Sequence, residues 1–132
     1  MGVIGFCIHY AIALVILNRE ITPTVGMLYP RESETREVRS LDGIWNFVKS
    51  DITNPTQGVR DKWYADDLSR VQETIPMPVP ASYNDITTET ALRDHVGTVW
   101  YDRKFFAPKS WANQRVWLRF GSVHYEAFVV SF

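Results

Sequence analysis

The sequence predicts an all-β fold, part of an antiparallel β-sandwich, and three observations carry that prediction. In the last third of the chain, apolar and polar residues alternate with period two, as strands buried on one face require. The joins between the alternating runs are short and rich in turn formers (Pro108, Gly121, Ser122), too short for the crossovers that parallel strands need. The 132 residues are 45% hydrophobic and 14% aromatic, enough apolar surface for one packed domain and too much for a disordered chain.

The first element is a targeting segment. Residues 3–17 form an apolar run broken only by Gly5, His9 and Tyr10. A membrane-spanning helix needs roughly 20 apolar residues, so this run is short and suits the core of a secretory signal peptide. No Lys or Arg precedes it, and the small-x-small site Thr24-Val25-Gly26 allows cleavage before Met27. Residues 1–26 are therefore expected to be a signal-peptide helix, with an uncleaved anchor as the alternative. Cleavage leaves 132 − 26 = 106 residues and removes Cys7, the single cysteine.

Residues 27–40 are polar and punctuated by Pro30, so they are expected to run extended over the surface. Leu41-Asp42-Gly43 is a turn signal that launches a strand over residues 44–49, with Trp45 and Phe47 sharing one face. Residues 51–58 read as a loop, and residues 61–68 as one or two helical turns with Trp63 packing inward. In residues 75–80 proline recurs at alternate positions. Each proline deletes a backbone donor, so this is an extended edge and never a central strand. Residues 84–95 form a polar connection with a helical turn near Ala91 and Leu92. Three further strands follow: residues 96–106, with Val99, Tyr101, Arg103 and Phe105 on one face; residues 115–120, with Val116, Leu118 and Phe120 buried; and residues 123–130. These strands amount to about half of an eight-stranded jelly roll. The apolar run at Phe132 is read as an incomplete domain spanning residues 27–132.

Charge and cysteine content exclude several function classes. The formal net charge is −1 and charges alternate in sign, as in Arg31-Glu32 and Arg36-Glu37, so no footprint for nucleic acid is present. One cysteine supports neither a disulfide framework nor a Cys-based metal site.

Five segments, in order, carry a family resemblance: Met27-Leu28-Tyr29-Pro30-Arg31-Glu32-Ser33; Leu41-Asp42-Gly43-Ile44-Trp45; Met77-Pro78-Val79-Pro80-Ala81-Ser82-Tyr83-Asn84-Asp85; Val96-Gly97-Thr98-Val99-Trp100-Tyr101; and Val116-Trp117-Leu118-Arg119-Phe120-Gly121-Ser122-Val123-His124-Tyr125. Together they resemble the β-glucuronidases of glycoside hydrolase family two. The resemblance implies that residues 27–132 belong to the N-terminal, galactose-binding-domain-like jelly roll of such an enzyme. It also implies an immunoglobulin-like sandwich and a TIM barrel in the full protein. There, one carboxylate attacks the anomeric carbon and another, about 5–5.5 Å away, acts as acid and then base. A barrel of that kind takes about 250 residues, so the family's catalytic glutamates have no counterpart here. Where the family continues into a Trp-Val-Asn-Gly turn, this chain reads Val130-Ser131-Phe132. By the same resemblance the parent enzyme is lysosomal or extracellular and homo-oligomeric. It would meet glucuronides or glycosaminoglycan ends through the barrel alone, and no cofactor, metal or catalytic residue is assigned to this chain.

The remaining candidate residues have structural readings. Asp66-Asp67, and Glu89 with Asp94, are expected to be solvated surface carboxylates, because nothing in the sequence sets either pair in unequal environments. His95 and His124 are too far apart for a metal motif and lack a third ligand nearby; His124-Tyr125 is expected to lead into a strand. Trp45, Trp100 and Trp117 fall within strand patterns and are expected in the core. Trp63 and Trp111, near loops, are the candidates for contact with a partner or a sugar face. Asn54-Pro55-Thr56 fails as a glycosylation sequon because proline sits in the middle. Two rival readings stand beside the hydrolase fragment: a stand-alone carbohydrate-binding or interaction module, and a non-functional truncated product with open strand edges.

Overall fold

The computed structural model describes residues 2–8, 31–124 and 126–131. The chain divides into two compact units, Ile12–Leu41 and the remainder. Of the first unit, residues 31–41 are described; 31–40 are exposed, as an extended surface lead-in would be, and Leu41 is half-buried. They fold once on themselves at Ser33 and Arg36, which exchange both backbone hydrogen bonds, at 3.0 and 3.1 Å.

The second unit is built on one antiparallel sheet. Its strands are β1 (Gly2–Ile8), β2 (Gly43–Lys49), β3 (Ile75–Val79), β4 (Val99–Phe105) and β5 (Ala127–Ser131), in the spatial order β3-β2-β4-β1-β5. Short helices α1 (Gln57–Arg60), α2 (Leu68–Val71) and α3 (Thr90–Arg93) and two 3₁₀ turns, Trp63–Ala65 and Lys109–Trp111, fill the connections. No helix among the described residues is long and apolar enough to cross a membrane. The antiparallel, strand-dominated prediction holds.

Gly43 opens β2 at φ +130°, a left-handed backbone that L side chains rarely adopt. Just before it, the Asp42 carbonyl accepts a 2.8 Å hydrogen bond from Arg103 Nη1, which ties the turn to β4. Within β2 the predicted alternation is realised: Trp45 and Phe47 are buried, and they lie opposite Met77 of β3 and Tyr101 of β4 respectively. The proline-bearing segment forms β3 and lies at the sheet edge, paired with β2 alone, where strands that lack the backbone donors of Pro76 and Pro78 are tolerated. Strand β4 departs from simple alternation, since Val99, Trp100, Tyr101 and Asp102 are all buried. It is a central strand, and its first four positions are covered on both faces.

Two layers do the covering. On one face Trp100 and Val48 pack with Trp63 and Leu68 from the first helical connection. Gly58 of α1 approaches so closely that a Cβ there would lie 2.4 Å from the Trp100 ring. On the other face Phe47 packs tilted against Tyr83 and edge-to-face with Tyr101, at centroid separations of 5.5 and 5.0 Å.

Three expectations differ from the structure. Gly2–Ile8 is a strand, not part of a leader helix; a short apolar run rich in Val, Ile and Phe suits a buried strand as well as a helix, and periodicity does not separate the two. The rest of the expected leader, residues 9–26, lies outside the described residues. Residues 115–120 are irregular instead of a strand, and Val116 and Leu118 are exposed. The final strand is shorter than the expected 123–130, because β5 begins at Ala127. His124 accordingly lies in irregular chain, and Tyr125 is outside the described residues.

Candidate functional site

The most concentrated polar chemistry lies where α2 meets the β2–β4 pair. Asp102 is the residue that sequence reasoning missed: a carboxylate in the middle of a central strand, 3% exposed. Asn46 Nδ2 donates to its Oδ1 at 2.6 Å, and the Leu68 backbone N–H donates to its Oδ2 at 3.1 Å. The carboxylate therefore satisfies an orphan donor at the start of α2 from across the sheet. The available signal was the acid in Val-Trp-Tyr-Asp-Arg-Lys-Phe, a charge that a central strand buries only with partners.

Beside it, Asp67 corrects the expectation of a solvated carboxylate. It is 7% exposed, its Oδ2 accepts from Lys104 Nζ, and Arg70 Nε lies 3.1 Å from the same oxygen. Asp66 does lie at the surface, 3.2 Å from Arg70 Nη1, and accepts the Asp67 backbone N–H at 2.7 Å. The group thus binds α2 to β4 by charge. Both Asp102 oxygens are engaged by neutral donors, and Asp67 by two cations, so the cluster is a structural anchor and not an acid/base pair facing a substrate.

A second cluster lies in the connection from β3 to β4. His95 is 3% exposed, and its Nε2 contacts the Thr98 carbonyl at 3.4 Å. Its own carbonyl accepts from Tyr83 Oη and Asn84 Nδ2, both at 3.1 Å. Asn84 also donates to the Arg93 carbonyl, at 2.7 Å, which closes the end of α3. Burial pushes the His95 imidazole below its ordinary value; the Thr98 contact opposes this and the Lys49 charge adds to it. Burial likewise raises Tyr83, and it pushes Tyr101, with Tyr83 nearby, up to about 12. The cluster holds neutral, hydrogen-bonded groups and locks a loop.

The other candidates are dispersed. Glu89 and Asp94 are exposed, and Asp94 pairs with its neighbour Arg93 at 2.7 Å. His124 is exposed and remote in sequence from buried His95, and among the described residues no three His, Cys, Asp or Glu side chains gather to hold a metal. Trp45 and Trp100 are core, as expected; the Trp100 indole donates to Ser50 Oγ at 3.1 Å. Trp63 packs inward, as expected for residues 61–68, with its ring 5.6 Å from Trp100, and so does not offer the partner contact also considered for it; Trp117, expected in the core, is 52% exposed. Trp111 is half-buried.

Comparison with known proteins supplies what the geometry leaves open. No protein-family profile matches the chain. A β-glucuronidase of Paenibacillus borealis is 50% identical over 103 residues, 78% of this chain and 16% of that protein. The β-glucuronidase of Mus musculus is 46% identical over 107 residues, 79% of this chain and again 16% of that protein. A solved β-glucuronidase of an uncultured Clostridium species superposes with a TM-score of 0.58 at 48% identity, covering 65% of this chain and 14% of that one. The resemblance read from the five segments is borne out, and the chain spans about a sixth of the length of the curated relatives it matches.

Proposed function

We propose that this chain is part of a β-glucuronidase-like glycoside hydrolase and serves there as scaffold for catalytic residues carried elsewhere in the polypeptide. The similarity to β-glucuronidases over 78–79% of the chain carries this reading. In the intact enzyme the described sheet would form part of a jelly-roll domain. The reaction would be the retaining hydrolysis of β-D-glucuronides, with glycosaminoglycan ends among the substrates. Such chemistry needs a nucleophilic carboxylate and an acid/base carboxylate facing one sugar. Asp67 and Asp102, the buried acids among the described residues, are instead engaged by Lys104, Arg70, Asn46 and the α2 backbone. The isolated chain is therefore expected to be inactive. Its route would be the secretory pathway, with residues 1–26 as leader, leading to a lysosome or the cell exterior.

The test is an assay of the purified 132-residue chain on a fluorogenic β-glucuronide. Release at the rate of the buffer blank is expected, and turnover that follows the protein concentration would refute the scaffold reading. A hybrid in which residues 27–132 replace the matched 107 residues of the mouse enzyme is expected to hydrolyse the same substrate.

A further inference from the structure

Of the seven glycines in the chain, Gly43 is the one that follows an aspartate, and none follows an asparagine. An aspartate carboxyl lies within reach of the backbone nitrogen of the next residue, and attack by that nitrogen closes a five-membered ring. A side chain on the next residue obstructs the approach, so glycine is the permissive neighbour. The surroundings of the pair favour the ring. Asp42 and Gly43 are both exposed, and residues 37–42 lie outside secondary structure. The joint between the two compact units falls directly before Asp42, so bringing carboxyl to nitrogen disturbs at most the first residue of β2.

Arg103 adds the electrostatics. Its Nη1 donates to the Asp42 carbonyl oxygen at 2.8 Å, and a Cβ on Gly43 would meet the same atom at 2.8 Å, so the guanidinium lies against the peptide unit between the two residues. A cation held there favours loss of the Gly43 N–H proton, which readies the nitrogen for attack.

We propose that Asp42–Gly43 is a site of isoaspartate formation steered by Arg103. The Gly43 nitrogen attacks Asp42 Cγ. A C–N bond replaces a C–O bond of the carboxyl group, and that oxygen leaves as water with the carboxyl proton and the Gly43 N–H proton. Water then opens the succinimide by one of two routes. Attack at Cγ restores aspartate. Attack at the Asp42 carbonyl carbon breaks the original peptide bond, leaves the chain running through Cγ and creates a new α-carboxylate. The oxygen that gathers negative charge on the second route is the one to which Arg103 donates, so the guanidinium acts on it as a preorganised donor. Afterwards Arg103 faces a carboxylate where it had faced a neutral carbonyl, and the contact becomes a charge-assisted one.

The full chain is aged in water enriched in heavy oxygen, in native buffer and in urea at the same pH. Digestion and electron-transfer mass spectrometry then distinguish isoaspartate from aspartate at residue 42. Label is expected at Asp42, with a ratio of isoaspartate to labelled aspartate about threefold higher in buffer than in urea, the scale of an exposed ion pair. The ratio is the readout, since a folded turn closes the ring more slowly than a loose chain whatever Arg103 does. Asp42→Asn reaches the same succinimide by losing ammonia and is expected to give the same buffer ratio sooner. Arg103→Gln is expected to bring the buffer ratio down to the urea value. No label at Asp42 in buffer, equal ratios in buffer and urea, or a folded Arg103→Gln chain that keeps the native ratio would each overturn the proposal. If Arg103→Gln does not fold, the buffer and urea ratios of the Asp42→Asn chain decide it.

Discussion

His95 is held neutral by burial, and the sign of its effect on stability follows from that. Its folded value lies below the ordinary 6.5, so the unfolded chain takes the proton first as pH falls. Above both values the residue contributes nothing to the pH dependence. Stability is lost as pH drops through about 6.5, with a slope of at most about 1.4 kcal/mol per pH unit, and the loss levels off below the folded value. Thermal unfolding from pH 7.5 to 5 is expected to show this loss in the native chain and to show less of it in His95→Gln. Equal pH profiles would exclude His95 as its source. A purely steric case is Gly58, where Gly58→Ala puts a Cβ 2.4 Å from carbons of the Trp100 ring. Because Trp100 is 3% exposed and cannot swing aside, a loss of about 1–3 kcal/mol is expected from denaturant titration.

At the scale of elements, four-residue helices such as α2 have no stability of their own, and their position comes from anchors. Asp102 is the anchor of α2, accepting from its first turn across 34 residues of sequence. Asp102→Ala removes both acceptors and leaves the Asn46 amide and the Leu68 N–H without that partner; a cost of about 2–4 kcal/mol is expected by chemical denaturation. A near-neutral result would show that α2 is held by Leu68 packing alone. Edge strand β3 depends on one side chain, Met77, which is 1% exposed and opposite Trp45. Met77→Ala is expected to cost about 2–5 kcal/mol, measured the same way. The proline pattern made β3 readable as an edge, and the alternation made Trp45 and Phe47 readable as core. Residues 115–120 were misread because a strand pattern states only what a segment can pair with, not whether a partner is present. Asp67 was misread for a related reason: its cations, Lys104 and Arg70, come from β4 and α2, and only folding brings them together.

For the whole molecule, the N-terminus sets two fates against each other. If residues 1–26 act as a leader, processing removes the strand that lies between β4 and β5. Expressed through a eukaryotic secretory pathway, the chain is expected to begin at Met27 by N-terminal sequencing. A secreted product that retains Gly2–Ile8 would instead keep the sheet in the described order and discard the leader reading.

The sequence by itself determined the strand-dominated class, the edge position of the proline segment, the inward tryptophans of β2 and β4, and the likeness to β-glucuronidases. Each of these is written in local period, backbone chemistry or motif order. Tertiary structure alone decided that Asp67 and Asp102 are buried, that His95 is a loop lock, and that Trp117 is exposed. Burial and pairing depend on partners distant in the chain, and no local pattern encodes which of them arrive.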